Sequence, residues 1–274
     1  SSFAVQQNLE RLKANGVHVL ESPKGELACG ETGEGRMAEP EEILNALKNA
    51  KEVKNVCKNG KRVLITAGRT EELIDPVRYI SNRSSGKTAT AIASVFYEAG
   101  FDVTMVCGPM DVAAPGFSKV VNVRSAIEMH EAVLSRAKDY DVLVHCAAVA
   151  DYRPAEVANE KIKDSRSQLH LDLIPNPNIL RDSVAQKRKG QVVVGFALET
   201  EKPELHAKEK LEKSGADLLV LNMPVAKESG FGKDNVAFSL VEKGGAVPEL
   251  QMASKRDLAL GILRFTLLEL EKTK

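Results

Sequence analysis

The chain has 274 residues, 43% of them hydrophobic and 28% charged, and its basic and acidic residues balance at no formal net charge. That balance leaves no electrostatic footprint for nucleic acid or a membrane surface, and no apolar run approaches the ~20 residues of a membrane span. What remains is a soluble globular protein of one large or two modest domains, with enough apolar residues for a sizeable core. No signal-peptide pattern opens the chain, and a first residue of Ser1 rather than Met points to a processed or truncated start.

Residues 5–15 carry Val5, Leu9 and Leu12 at helical spacing, with Gly16 as a stop. Val17–Leu20 is a short apolar run, residues 28–40 hold three glycines and read as an ordered loop, and Glu41–Leu47 restarts a helix. Residues 48–60 are rich in lysine and poor in apolar residues, which predicts a linker. Beyond it the pattern becomes strand–helix alternation. Apolar runs stand at Val63–Thr66, Val103–Cys107, Val120–Val123, Val142–Cys146, Val192–Phe196, Leu218–Leu221 and Val236–Val241. Between them the spacing predicts helices near 85–99, 125–137, 178–187, 203–214 and 254–272. Near-continuous runs of Val, Leu and Ile predict strands buried on both faces, as in a parallel sheet covered by helices. Ligands of such sheets sit beyond the carboxyl ends of the strands, so residues just after each run are the ones to read for chemistry. Two excursions interrupt the alternation, at 69–84 and 151–176, and long connections of this kind are usually functional or interfacial. The second contains a period-two stretch, Leu169, Leu171 and Leu173.

The first strand ends in VLITAG, where Gly68 lets backbone approach a ligand or simply makes a turn. SNRSSGKT (81–88) resembles a phosphate loop but has Ser81 where the pattern needs its first glycine. It does present a helix start with Ser84 or Ser85 as a cap, Gly86, and the positive charge of Lys87, which together favour an anion. In IDPVRYISN (74–82), Asp75, Arg78 and Asn82 offer carboxylate or phosphate recognition and an uncharged donor; the plainer reading is a solvated loop. HCAAVADYRP (145–154) follows a strand directly: Ala147 and Ala148 are small enough for a planar ring to lie on the backbone. Asp151 suits a magnesium ion held by one carboxylate plus phosphates, or is merely a capping residue. Lys161 and Lys163 flank Ile162, one side of an extended strand if that segment is one, and fit a triphosphate or a solvated edge equally. PNPNIL (175–180) stops one element and starts a helix near Asn178. Phe196, at the end of another strand, stacks on a base or fills the core. His145 reads more plainly as a satisfied structural histidine than as a ligand or base. The four cysteines, Cys29, Cys57, Cys107 and Cys146, form no CxxC pair and read as reduced thiols of a cytoplasmic protein.

Together these segments resemble one family. TAGRTEELIDPVRYISNRSSGK, CAAVADYRPAE, KIK, PNPNIL, GFALET, DLLVLN and FGKDNV stand in the order and spacing of phosphopantothenate–cysteine ligase, over residues 61–270. In bacteria that ligase is the C-terminal half of a bifunctional protein. The resemblance implies an α/β fold: a modified Rossmann-like sheet with helices on both faces and a dimerisation excursion. It implies a cytoplasmic homodimer that uses CTP and Mg2+ to join 4′-phosphopantothenate to L-cysteine through an acyl-cytidylate. Asn82 would bond the acyl carbonyl, with Arg78 and Asp75 organising its loop. Lys161, Lys210 and a metal near Asp151 would offset triphosphate charge. Ser85, Gly86 and Lys87 would meet phosphate. The backbone of His145, Cys146 and Ala147 and of Pro177, Asn178, Ile179 and Leu180, with Phe196, would hold cytosine and ribose. Residues 1–45 resemble the tail of the FMN-dependent decarboxylase half, LACGETGEGRMAEP being similar to its substrate clamp with Cys29 as the matching cysteine. The implied organisation is a decarboxylase remnant at 1–47, a linker at 48–60 and the ligase domain at 61–274, without FMN because the flavin-binding body would lie upstream.

The chain departs from the family pattern in places. Arg69 and Glu71 replace a common Pro and Arg, and Leu73 a usual Pro. The family carries lysines four apart on the helix before DLLVLN; Lys210 matches the first and Ser214 stands at the second. Lys213 is one residue away, a rotation of about 100° on a helix.

Two rival readings exist. A short-chain NAD(P) reductase would need Tyr-x-x-x-Lys, but Arg83, Phe101, Val144 and Glu156 follow Tyr79, Tyr97, Tyr140 and Tyr152 at that distance, and no complete G-x-G-x-x-G is present. A non-catalytic dimeric nucleotide-binding module is distinguished by whether pyrophosphate release needs both CTP and phosphopantothenate.

Overall fold

The computed structural model describes residues 3–14, 17, 19–20, 24–26, 32–34, 37, 40, 43, 60–163, 168–198, 203–223 and 235–272. Near the N-terminus lie helix α1 (Phe3–Ala14) and the antiparallel pair β1 (Lys24–Glu26) and β2 (Thr32–Glu34). Cys29, Cys57, the linker at 48–59 and most of the predicted 41–47 helix lie outside the described residues.

From β3 (Arg62–Ala67) onward the chain builds one main sheet. An antiparallel hairpin follows, β4 (Glu71–Leu73) with β5 (Tyr79–Ser81), then α2 (Lys87–Glu98), β6 (Asp102–Cys107) and β7 (Lys119–Asn122). Next come α3 (Ala126–Leu134), β8 (Val142–His145) and a second antiparallel pair, β9 (Tyr152–Pro154) with β10 (Leu173–Pro175). Helix α4 (Ile179–Ala185), β11 (Val192–Leu198), α5 (Pro203–Ser214), β12 (Leu218–Met223), β13 (Asn235–Glu242), β14 (Gln251–Ser254) and α6 (Lys255–Glu271) complete it.

The eight strands of the main sheet run in the order β14-β13-β12-β11-β8-β3-β6-β7. From β12 to β7 every pairing is parallel. β13 and β14 are added antiparallel at one edge. The main sheet is thus mostly, not wholly, parallel: β13 is as apolar as its neighbours, yet it returns directly beside β12. Burial on both faces sets an apolar run, whereas strand direction is set by the connection.

Alternate residues of the strands feed cores on opposite faces. Val63, Ile65 and Ala67 of β3 pack with α2 and α6, while Leu64 packs with α3 and Ile179 of α4. A third cluster joins α5 to Ala197, Leu219 and Val241. Helix α2 buries Ala89, Ile92, Ala93, Val95 and Phe96; deleting a side chain such as Ile92 from a core of this kind costs about 2–5 kcal/mol. Helix starts are satisfied in different ways. Ser125 caps α3 by accepting from Glu128 N, and Ser254 forms a reciprocal capping box with Asp257 on α6. Buried Glu72 of β4 accepts from Ala126 N at 3.0 Å, which fastens the first excursion to the start of α3.

Candidate functional site

Going outward from β3, β6 and β7 lie on one side and β8, β11 and β12 on the other. The order therefore reverses between β3 and β8, and their carboxyl ends define the switch-point crevice where ligands of open α/β sheets bind. The residues that follow these two strands are stitched together. Ala148 N donates to Gly68 O at 2.9 Å, Thr70 N to Ala148 O at 3.4 Å, Ala147 N to Thr66 Oγ1 at 3.1 Å and Ala150 N to Thr70 Oγ1 at 3.0 Å. Thr66 and Thr70 are buried. Two asparagines bring further loops in: Asn82 Nδ2 donates to Val149 O at 2.9 Å, and Asn176 Nδ2 to Ala150 O at 2.8 Å. The segments IDPVRYISN, HCAAVADYRP and PNPNIL thus converge on one rim.

This stitching changes the expected role of the small residues. The N–H groups of Ala147 and Ala148 are engaged within the protein, so they are not free to read a base. Of residues 147–150, only Ala147 has a carbonyl that accepts none of these bonds among the described residues. Gly68, with φ +78°, permits a close approach, but by protein: a Cβ there would lie 2.6 Å from Pro109 O and 2.7 Å from Gly108 O. Ser84 and Ser85 do not cap α2. The N-cap is Gly86 in left-handed conformation (φ 82°) with no side-chain cap bond, because Arg69 Nη1 binds Ser84 O at 2.8 Å and Asp111 N binds Ser85 O at 3.1 Å. Lys87, half-buried, opens the helix. Met110 packs beneath Gly68 and Gly86, so the loop after β6 supports both.

Buried Asp75 is fully used by the protein. Oδ1 accepts from Val77 N and Arg78 N, both at 2.7 Å, and Oδ2 from Arg78 Nη1 at 2.7 Å and Ile162 N at 3.1 Å. Burial alone would raise its carboxyl, but these four donors lower it to about 2. These four bonds organise the loop, the role that the resemblance implies. Lys161 and Lys163 are exposed on a segment that is not a strand, which corrects the extended reading. Asp151 is exposed and its carboxylate accepts no hydrogen bond among the described residues. No three metal-ligating side chains cluster among those residues, so a magnesium ion on Asp151 would need the nucleotide's own oxygens.

His145 is the satisfied structural histidine of the plainer reading. Its Nε2 lies 2.9 Å from Ser183 Oγ, whose hydroxyl also reaches Leu180 O at 2.9 Å, and burial lowers its pKa to about 4. Burial likewise pushes the Cys146 thiol up to about 12 and Cys107 to about 11. Asn178 caps α4 by accepting from Arg181 N, next to half-buried Pro177. Ile179 and Leu180 face the α3 side of the sheet, whereas Phe196 packs into the α2–α6 core on the opposite face. Lys210 and Lys213 are exposed on α5; Lys213 Nζ pairs with Glu209 at 3.0 Å. Ser214 is buried and ends the helix through its hydroxyl on Leu211 O.

Sequence reasoning missed Thr66, Thr70, Asn176 and Met110. The threonines carry a signal, polar residues at the end of a buried strand. Asn176 precedes Pro177, which restricts its backbone to extended conformations. Met110 gives none.

A six-strand parallel sheet with this order and a rim of converging loops at its switch point defines a Rossmann-like α/β domain. The chain belongs to the family of the DNA/pantothenate metabolism flavoprotein C-terminal domain, whose family model matches residues 58–268. It is 41% identical over 268 residues to the coenzyme A biosynthesis bifunctional protein CoaBC of Haemophilus influenzae, covering 98% of this chain and 66% of that protein. It is 38% identical over 265 residues to a cysteine/cysteine sulfinic acid decarboxylase of an unknown prokaryotic organism, covering 95% of this chain and 74% of that protein. Among solved structures, the C-terminal domain of a CoaBC protein matches with TM-score 0.66 at 35% identity, covering 80% of this chain and all of that one. The chain thus spans about two thirds of the length of CoaBC relatives.

Proposed function

We propose that residues 61–274 form a phosphopantothenate–cysteine ligase, a cytoplasmic enzyme of coenzyme A synthesis, and that residues 1–47 are the tail of a decarboxylase half joined by a linker at 48–60. The observation that carries the reading is the convergence at the switch point, through Asn82 and Asn176, of the loops that the family match spans. The relatives named for coenzyme A synthesis support it.

In this reading CTP lies across the carboxyl ends of β3 and β8. The free carbonyl of Ala147 faces a base amine, the α4 start at Pro177–Leu180 lines the ribose, and the N-terminus of α2 with Lys87 meets phosphate. Asp151, with phosphate oxygens of the nucleotide, would hold a magnesium ion, which would supply charge neutralisation. The 4′-phosphopantothenate carboxylate attacks the α-phosphorus of CTP, and pyrophosphate leaves with the electron pair of the broken P–O bond. Lys161 and Lys210 offset the charge that moves onto it. The amine of L-cysteine then attacks the acyl carbon of the acyl-cytidylate, CMP leaves, and the amine proton is lost to solvent. Asn82 donates to the acyl oxygen while negative charge builds there.

The reading includes a homodimer. Tyr152, Val157, Leu169, Leu171, Leu173 and Ile174 of the second excursion are all exposed, an apolar concentration suited to a second copy of the chain. Calorimetric titration with CTP, ATP and NADPH in parallel tests the nucleotide: CTP binds more tightly than ATP and NADPH gives no heat. Tight NADPH binding would favour the reductase instead.

A further inference from the structure

The ligase reading places Lys161 on the triphosphate but leaves open how an exposed lysine on an irregular segment is held in register. The structure offers a specific device. The N–H of Ile162 belongs to the peptide that joins Lys161 to Ile162, and it donates to Asp75 Oδ2 at 3.1 Å. The carbonyl of Ile162 belongs to the next peptide, towards Lys163, and it accepts from Arg78 Nη1 at 3.1 Å. Arg78 is itself bound to Asp75 Oδ2 at 2.7 Å. The two side chains therefore form a bracket that grips consecutive peptides between the two lysines. Ala158 N, donating to Ile74 O at 3.0 Å, adds a third tie to the same turn. Asp75 has no exposed surface, and its other oxygen is fixed by Val77 N and Arg78 N, so the bracket is rigidly based. The side chains of Lys161 and Lys163 are exposed and take no part in it.

We infer that Asp75 is a positioning residue for nucleotide activation: with Arg78 it holds the 161–163 segment by its backbone so that the Lys161 ammonium stands where the triphosphate binds. This rests on the ligase reading. The arrangement ties one excursion to the other rather than to the main sheet. What it fixes is the base of a long flexible side chain, and a displacement of about 1 Å at such a group can cost on the order of 10²-fold in rate.

A double-mutant cycle tests it, with the pyrophosphate burst measured on the whole chain in the presence of CTP and 4′-phosphopantothenate. Asp75→Asn slows the burst about 10- to 100-fold, and Lys161→Ala slows it about 10²- to 10³-fold. If Asp75 acts through Lys161, adding Asp75→Asn to Lys161→Ala slows it by less than about 3-fold more. Effects that multiply overturn the inference. Ile162→Pro removes the gripped N–H without touching Asp75 and provides the same cycle should Asp75→Asn not fold, as judged by circular dichroism. Trypsin gives a readout independent of chemistry. Cleavage after Lys161 and Lys163 is faster in Asp75→Asn than in the wild type, cleavage after Lys163 is faster in Ile162→Pro (a proline at 162 itself blocks trypsin after Lys161), and an unchanged rate after Lys163 in both variants also overturns the inference. A wild-type chain that releases no pyrophosphate with CTP removes the ligase reading and this inference together, whereas an active wild type with a multiplicative cycle removes the inference alone.

Discussion

Replacing Asn82 by alanine separates two accounts of that residue by magnitude. The structure shows one bond from its amide, Nδ2 to Val149 O at 2.9 Å, which ties the first excursion to the loop after β8. Asn82 is exposed, so truncation leaves Val149 O open to water, and the loss is that of an ordinary hydrogen bond, about 0.5–1.5 kcal/mol. Spread over both half-reactions as a looser loop, that amounts to roughly 2- to 12-fold on each, at 1.4 kcal/mol per factor of ten. The second amide hydrogen and Oδ1 take no part in the tie. A donor aimed at an acyl oxygen that becomes negative only when cysteine attacks contributes on the order of 10²–10³ in that step alone. Asn82→Ala should therefore release pyrophosphate in a burst slowed no more than about 10-fold, retain acyl-cytidylate, and form amide about 10²- to 10³-fold more slowly. Rapid quench, following pyrophosphate and amide product in the same samples, gives both rates. Equal slowing of the two steps would leave Asn82 as a tether and remove it from the chemistry.

Gly68→Ala forces a non-glycine residue to φ +78° against two backbone oxygens, while among the described residues nothing lies within 4 Å of a Cβ at Gly116. The first change should cost about 2–4 kcal/mol from left-handed strain and a disturbed Pro109 contact, the second less than about 0.5 kcal/mol, and equal melting temperatures would contradict this. His145 has a folded pKa of about 4 against an ordinary 6.5, so the unfolded chain takes up its proton first as pH falls. Stability from this group is complete above pH 6.5 and declines by roughly 3 kcal/mol towards pH 4; chemical denaturation of His145→Asn should show a flatter profile over that window. Asp75, lowered from 3.8 to about 2, contributes stability that is full above pH 3.8 and is lost only as pH falls towards 2, a separate and more acid phase. Lys213 is paired with Glu209 on an exposed helix turn, so Lys213→Ala should leave the KM for CTP within about 2-fold, while Lys210→Ala raises it; the reverse order would exchange their roles.

Much of the fold was readable because the sheet is buried on both faces. Runs such as Val142–Cys146 and Val192–Phe196 have no amphipathic ambiguity, and all seven predicted runs became strands of the main sheet. The direction of β13 was not readable, since an antiparallel strand buried on both faces looks the same in sequence. The site was legible as motifs but not as geometry. Asn178 was placed at a helix start and caps it, and His145 was read as satisfied and is. By contrast, Ser84 and Ser85 have the right chemistry for a cap, yet Arg69 and Asp111, fifteen and more residues away, hold their carbonyls and shift the cap to Gly86. Phe196 shows the limit most plainly: its position along β11 is given by the run, but the face it occupies depends on the pleat relative to neighbours. That sets it, half-buried, against the α2–α6 core on the face opposite Ile179.

The central claim is that this rim joins 4′-phosphopantothenate to L-cysteine at the expense of CTP. Its most direct test is mass-spectrometric detection of phosphopantothenoylcysteine after incubating the purified chain with CTP, magnesium, 4′-phosphopantothenate and cysteine, with each omitted in turn. The account predicts product matched by equal CMP and pyrophosphate in the complete mixture, pyrophosphate limited to about one per site without cysteine, and none without phosphopantothenate. Nucleotide binding with no product in the complete mixture would contradict it and leave a nucleotide-binding module in its place.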